Sequence, residues 1–470
     1  MTTLRQESED CRHERSHIVD SAFYGLRYST SATRRAFCDH CRFQRWLDVE
    51  AALALAEADL GIIPAEAATK ISKAAQVGLL NLDSVQQEIE RTGHSLVGLL
   101  RVFQSVCDGD AGEYIHYGAT TQDIQDTGQS LEMRDVLDEL GTVLNDILAR
   151  LAELAETHHA TVALGRTHAQ PALPMSFGVK VAGWLDEVLR HAQRIEAMRP
   201  RVLVAQLFGG VGTMAGFGDH ALELVEGFAG RLGLSVPLIG WHVARDRIAE
   251  YVSTLAMVAG TMGRIADEIR FLSRPEFAEL EEGWQPGKVG SSTMPHKRNP
   301  ETCQQVVMLA RLTASLTPAA MAAMSADNER DSRALRLEWA IIPEVSHYTL
   351  AGCEILRTIL NGLVVHTDRM RKNVQVVADQ VATERLMLAL GKHIGKQSAH
   401  EVVYELSQAA RRDGVSIQGL LRDHSAGALL TDDELARIFD PARYLGQSSQ
   451  LTKRVVAQAR SWLDGRGTLS

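Results

Sequence analysis

The run Leu137-Asp138-Glu139-Leu140-Gly141-Thr142-Val143-Leu144-Asn145-Asp146-Ile147-Leu148-Ala149-Arg150-Leu151-Ala152-Glu153-Leu154 sets leucine or isoleucine at 137, 140, 144, 147, 151 and 154. Alternating steps of three and four residues draw one apolar seam along a helix. Long helical patterns also run from about 177 to 198 and from about 247 to 272. Helices of this length cover their apolar faces by packing side by side, so the expected class is all-α with a central long-helix bundle. One chain rarely covers such helices fully, and the same pattern therefore predicts a homo-oligomer.

The flanks have a different texture. Between 31 and 60, Phe37, Phe43, Trp46, Leu47, Val49, Ala51 and Leu53 recur at helical spacing; Gly61 closes the segment and Pro64 opens the next. Asp108-Gly109-Asp110-Ala111-Gly112 reads as a loop. Beyond about 370 the helical patterns shorten, broken at Gly391, Gly395, Gly414 and Pro441. A chain of 470 residues exceeds what one core usually supports. Three helical domains are expected: 1–114, 115–368 carrying the central bundle, and 369–470. No strand-rich segment stands out. Gly209-Gly210-Val211-Gly212-Thr213-Met214-Ala215-Gly216 lacks the dinucleotide-binding spacing and a βαβ context, so it reads as a loop between helices.

Composition is that of a soluble globular protein, with 45% hydrophobic and 23% charged residues. The net charge of −10 argues against a general nucleic-acid binder. Residues 1–17 are dense in charge, without the apolar core of a secretory signal. No uninterrupted apolar run is long enough for a membrane span. A cytoplasmic protein is expected, with no membrane or nucleic-acid partner. Cys38-x-x-Cys41, with Cys11, His13 and His17 upstream, resembles half a metal site, but no second pair follows. The expectation is thiols without a metal.

Four polar clusters interrupt the helical body: Thr92-Gly93-His94-Ser95, His116 to Asp123, Gly165 to Pro171, and Gly290-Ser291-Ser292-Thr293-Met294-Pro295-His296-Lys297-Arg298-Asn299-Pro300. Each alone has a plain structural explanation. Thr120-Thr121-Gln122-Asp123 suits a helix N-cap, Arg166 an ion pair, and a single histidine a satisfied helix end. The last cluster gathers hydroxyls, a cation and an amide on a glycine-flanked loop, which can bring a base and anion-holding groups to one point.

Together the clusters resemble the aspartase/fumarase superfamily. Residues 290–299 fill every fixed position of its Gly-Ser-Ser-x-Met-Pro-x-Lys-x-Asn signature, and the other clusters follow in that superfamily's order. The resemblance implies a homotetramer with a twenty-helix bundle, active sites shared between subunits, a small dicarboxylate substrate, and no metal or organic cofactor. It implies elimination from a succinate-like substrate, releasing fumarate. Ser291 would be the base and His168 the general acid, with His94 orienting the leaving group. Lys297 and Asn299 would hold the charge of the aci-carboxylate, where preorganised donors give most acceleration. Thr120, Thr121, Gln170, Ser292, Met294, Arg330, Arg27 and Tyr28 complete the implied substrate-binding set. A serine hydroxyl is a poor base unless its surroundings lower its pKa.

Within the superfamily, His168, His94 and Arg27-Tyr28-Ser29 look like adenylosuccinate lyase. Trp241 to Arg247 and Glu338-Trp339 look like 3-carboxy-cis,cis-muconate cycloisomerase. Leu335 and Trp339 stand where phosphate-binding donors are expected, which disfavours a nucleotide substrate. Trp241 is expected to narrow the leaving-group pocket. Gln304 replaces a usual glutamate, removing a carboxylate expected beside His168. The expected reaction is loss of a small nitrogen group, an amine or nitrite as from nitrosuccinate. Cycloisomerisation and a catalytically silent structural bundle are the alternatives.

Overall fold

In the computed structural model, residues 16–284, 287 and 289–466 are described; Cys11 and His13 lie outside them. The described chain is helical almost throughout, as expected, and its strands form two two-stranded ladders. Five long helices dominate: Thr121–Thr157, Phe177–Val202, Asp246–Leu272, Glu301–Ala323 and Ser332–Asn361. The seam is core as read. Leu137, Leu140, Leu144, Ile147 and Leu151 are fully buried, and Leu154 is nearly so.

Two compact units emerge: Met1–Val143, His191–Gly263 and Gln305–Ile355 form the first, and Leu144–Arg190, Arg264–Gln304 and Leu356–Ser470 the second. In the first, helices Asp39–Asp59, Leu82–Thr92 and Ser95–Val106 bury Trp46, Leu47, Leu53, Leu96 and Leu99. Gly128, inside Thr121–Thr157, lies against the Trp46 indole. A Cβ there would sit 2.7 Å from the ring, so only glycine permits that approach. Of the loop expected over 209–216, residues 209–214 are irregular, while Ala215 and Gly216 open a short 3-10 helix, Ala215–His220.

The second unit contains an element that the sequence reading did not anticipate. Strands β1 (Val162–Thr167) and β2 (Gln170–Ser176) pair antiparallel, with Thr167 opposite Gln170 and a register irregularity between Leu164 and Arg166. The Phe177 N–H donates to the Thr161 carbonyl at 2.8 Å, tying the hairpin's base to the following helix. The shorter C-terminal helices close their own core around Leu386, Leu390, Ala399, Val403, Leu406 and Leu421.

Candidate active site

The predicted site residues fall into two sets, one in each unit. In the first unit, Thr120 directly precedes helix Thr121–Thr157. Its N–H donates to Asp123 at 3.0 Å, and its hydroxyl accepts from Arg330 Nη1 at 2.5 Å. Arg330 Nε also donates to Gln122 Oε1 at 3.3 Å. Asp123, fully buried, accepts the N–H groups of Phe208 at 3.0 Å and Gly209 at 2.9 Å, and lies 3.0 Å from His242 Nε2. This carboxylate gathers the glycine loop, the helix start and Thr120 at one point.

Beside them lies a cavity of about 730 Å³, walled by Ile89, Leu335 and Trp339 and offered polar groups by His94, Arg330 and Arg336. Thr121 also lines it, and no aspartate or glutamate does among the described residues. His94 precedes helix Ser95–Val106, and its buried Nδ1 has no hydrogen-bond partner among the described residues. Burial, followed by the charges of Arg330 and Arg336, holds its pKa below the usual histidine value. Leu335 and Trp339 both stand in its wall.

Trp241 does not. It is 2% exposed and does not line this cavity; its Nε1 donates to the Ala205 carbonyl at 2.9 Å. Its ring lies 4.8 Å beneath the Arg245 guanidinium. The expectation that it narrows the pocket is therefore corrected: an indole stacked on a buried cation faces inward. Arg27 and Tyr28 also lie apart from this cavity. Arg27 is exposed, with its carbonyl accepting from Gln305 at 2.8 Å, while Tyr28 packs on the cluster of Val19, Leu309 and Tyr348.

In the second unit, His168 and Ala169 are the two turn residues between β1 and β2, with φ of 50° and 63°. Such turns ordinarily take asparagine and glycine, and a histidine and an alanine held there are strained. The turn exposes His168, with Gln170 beside it at the start of β2. Arg166 is the ion pair that its bland reading allowed: it forks onto buried Glu279 at 2.6 and 3.1 Å and lies 4.6 Å over Phe277.

Ser291 lies on the irregular loop, where its Oγ accepts the N–H groups of Met294 at 3.0 Å and Thr293 at 3.4 Å. Asn299 Nδ2 donates to the Gly290 carbonyl at 2.6 Å, tying the two ends together. Arg298 forms an ion pair with Glu281 at 2.6 Å and rests over Trp284. Lys297, Ser292 and Met294 are exposed. What the sequence reading missed is the support: Asp126, Arg245 and Glu338 form one buried charged network, and Gln125 lines the cavity. The spacing of Gln122, Gln125 and Gln129 on one helical face was the available signal.

A family model described as lyase matches residues 26–312, and one described as adenylosuccinate lyase C-terminus matches residues 379–455. The N-acetyl-S-(2-succino)cysteine lyase of Dickeya dadantii is 40% identical over 459 residues, covering 97% of this chain and 99% of its own. The adenylosuccinate lyase of Methanothermobacter thermautotrophicus is 38% identical over 443 residues, covering 93% and 98%. The crystal structure of 3-carboxy-cis,cis-muconate lactonizing enzyme from Pseudomonas putida superimposes with a TM-score of 0.85 at 33% identity, covering 92% of this chain and 98% of that one.

Proposed function

The chain belongs to the lyase family of the fumarase/aspartase superfamily, and on that premise we propose that it eliminates a thiol from an S-linked succinate, releasing fumarate. The setting of Ser291 carries this reading. Its Oγ already accepts two backbone N–H groups. Donors aimed at an oxygen favour its anion, which is what a serine needs to act as a base.

In this scheme Ser291 takes a proton from the methylene carbon beside one carboxylate. The electron pair moves into that carboxylate, giving an aci-carboxylate held by Lys297 and the remaining amide N–H of Asn299. It then returns to form the carbon–carbon double bond as the carbon–sulfur bond breaks. The sulfur leaves with the bonding pair and takes a proton from His168. Thr120, Thr121, Arg330 and Gln170 hold the carboxylates, with Ser292, Met294, Arg27 and Tyr28 completing the enclosure. His94 orients the leaving group. The Ser291 and Arg330 sets meet at sites shared between copies in a homotetramer. Helix Glu301–Ala323 supports assembly: it is long and apolar enough to cross a membrane, yet only 28% of its most apolar window is buried within the chain. An apolar face left open in this way calls for a partner helix.

Sulfur is favoured because a thiol, with a pKa of about 8.5, leaves as its anion far more readily than an amine. The reaction then leans less on an acid and tolerates Gln304. The Dickeya dadantii relative is named for such a thioether. A nitrogen leaving group is the second reading: retention of His168 favours an amine, whereas nitrite from nitrosuccinate is a good leaving group that depends less on an acid.

The deciding assay follows fumarate absorbance with N-acetyl-S-(2-succino)cysteine, nitrosuccinate and adenylosuccinate, alongside lactone formation from 3-carboxy-cis,cis-muconate. The thioether is expected to react fastest. Rapid fumarate release from nitrosuccinate with none from the thioether would overturn the sulfur reading. Ser291→Ala is expected to lower kcat by about 10³ or more while the substrate still binds.

A further inference from the structure

One helix presents three glutamines, Gln122, Gln125 and Gln129, on the same face. Two are satisfied within the protein. Gln122 Nε2 donates to the His242 carbonyl at 2.9 Å and to Asp126 at 3.1 Å, and Gln129 Nε2 donates to Glu338 at 3.1 Å. The middle one is not. Gln125 is only 4% exposed, its Nε2 has no partner among the described residues, and it lines the 730 Å³ cavity. A buried amide N–H without an acceptor is costly and is ordinarily removed by pairing. The adjacent carboxylate gives no relief, because Asp126 is occupied by Arg245, Gln122 and Gln206. The missing acceptor belongs to whatever fills the cavity.

Arg336 lies across the same cavity. It is exposed and forms no ion pair among the described residues, while its neighbours Leu335 and Trp339 make the wall apolar. The cavity thus offers an amide donor, a cation and an apolar face, with no lining carboxylate to repel an anion. At 730 Å³ it falls within the range that holds drug-sized ligands. Nitrite or ammonia would leave most of it empty.

We propose that Gln125 and Arg336 form the leaving-group half-site and select an N-acylated amino-acid thiol, with Gln125 donating to the acyl carbonyl and Arg336 pairing with the carboxylate. This deepens the thiol-elimination reading and rests on it for the identity of the reacting bond. Selection follows from pairing: a ligand without the acyl carbonyl leaves the Gln125 N–H as unsatisfied as in the empty protein.

The test is calorimetric titration of the full-length protein with N-acetylcysteine and with 3-mercaptopropionate, which keeps the thiol and carboxylate but lacks the acyl amide. The wild type is expected to bind N-acetylcysteine at least ten-fold more tightly. Gln125→Leu and Gln125→Met are expected to lose about ten-fold for N-acetylcysteine and to keep 3-mercaptopropionate within two-fold. Arg336→Gln is expected to weaken both. Thermal melts of each variant report folding, and the Met variant keeps the side chain's length while removing the donor without adding a charge. Equal losses for both ligands, or none, in the Gln125 variants, or unchanged binding of both in Arg336→Gln, would overturn the assignment. A parallel assay of wild-type fumarate release from N-acetyl-S-(2-succino)cysteine separates the two ideas. Absence of turnover removes the elimination reading, while the titration still judges Gln125 and Arg336.

Discussion

Arg245 grips Asp126 through two hydrogen bonds, at 2.9 and 3.0 Å, with both side chains wholly removed from water. The same guanidinium reaches Glu338 through Nε at 2.7 Å and through Nη2. One cation therefore bridges two buried carboxylates, and it draws helices Thr121–Thr157 and Ser332–Asn361 together behind the cavity.

Removing that cation strands both charges. Arg245→Met is expected to destabilise the protein by about 3–5 kcal/mol, because a broken buried pair leaves uncompensated charge. Arg245→Lys should recover only part of this, since an ammonium cannot fork onto two carboxylates. Urea unfolding midpoints check the order wild type, Lys variant, Met variant.

Gly290 is fixed by contact. A Cβ there would lie 2.3 Å from the Lys297 carbonyl and 2.9 Å from the Trp284 ring. Gly290→Ala must push the two ends of the loop apart and carry Ser291 with it. A displacement near 1 Å costs on the order of 10² in rate. The expected result is a kcat lowered by about that factor with an almost unchanged melting temperature, measured by steady-state kinetics and calorimetry.

The hairpin turn offers a paired test. With φ of 63°, Ala169 occupies a region that disfavours a Cβ. Ala169→Gly is expected to raise the opening free energy of the β1–β2 amides by about 0.5–1 kcal/mol, and Ala169→Val to lower it. Hydrogen exchange at Ala163 and Leu164 reads both. The valine variant should also lose turnover, because His168 shares the turn.

Glu57 gives a pH dependence. It is fully buried, both carboxylate oxygens lack partners among the described residues, and burial, then the charge of Glu50, pushes its pKa up to about 8. Glu50 itself is bonded to His116 at 2.7 Å; burial pulls that histidine down, but the charge and hydrogen bond of Glu50, with Asp123, hold it above its usual value. For a carboxyl raised on folding, the native state keeps a proton that the unfolded chain has lost. Stability contributed by the Glu57 proton is therefore full below about pH 4.5 and declines as pH rises towards 8, by at most about 1.4 kcal/mol per pH unit. Glu57→Gln should flatten the denaturation midpoint between pH 5 and 8, leaving the slope from His116.

The long helices were legible because burial repeats along them: the residues at 137, 140, 144, 147 and 151 are all at zero exposure. The loop of residues 290–300 was legible because its residue types are uncommon in combination. The hairpin was not. Its turn carries His168 and Ala169 where asparagine and glycine would have announced it, and Pro171 and Pro174 disguise β2. Trp241 was placed on the wrong side because a sequence neighbourhood does not say which face of a side chain meets a cavity. Arg245, Asp126 and Glu338 lie far apart along the chain, so nothing local marks them as one charged cluster. Gln125 differs from Gln122 and Gln129 only in what surrounds it, which no residue string records.

The β1–β2 turn has a consequence for how this enzyme can change. Only two residues separate Thr167 from Gln170, so no slack exists between the ladder and the imidazole. Adding or deleting one residue would shift the pairing and turn every β2 side chain to the opposite face. The reach of His168 is thus counted out in strand residues from an anchored base, as on a ruler. The cavity wall at Leu335, Arg336 and Trp339 is set by single side chains on a helix. On the proposed reading, point substitutions there would exchange one leaving group for another while His168 keeps its place.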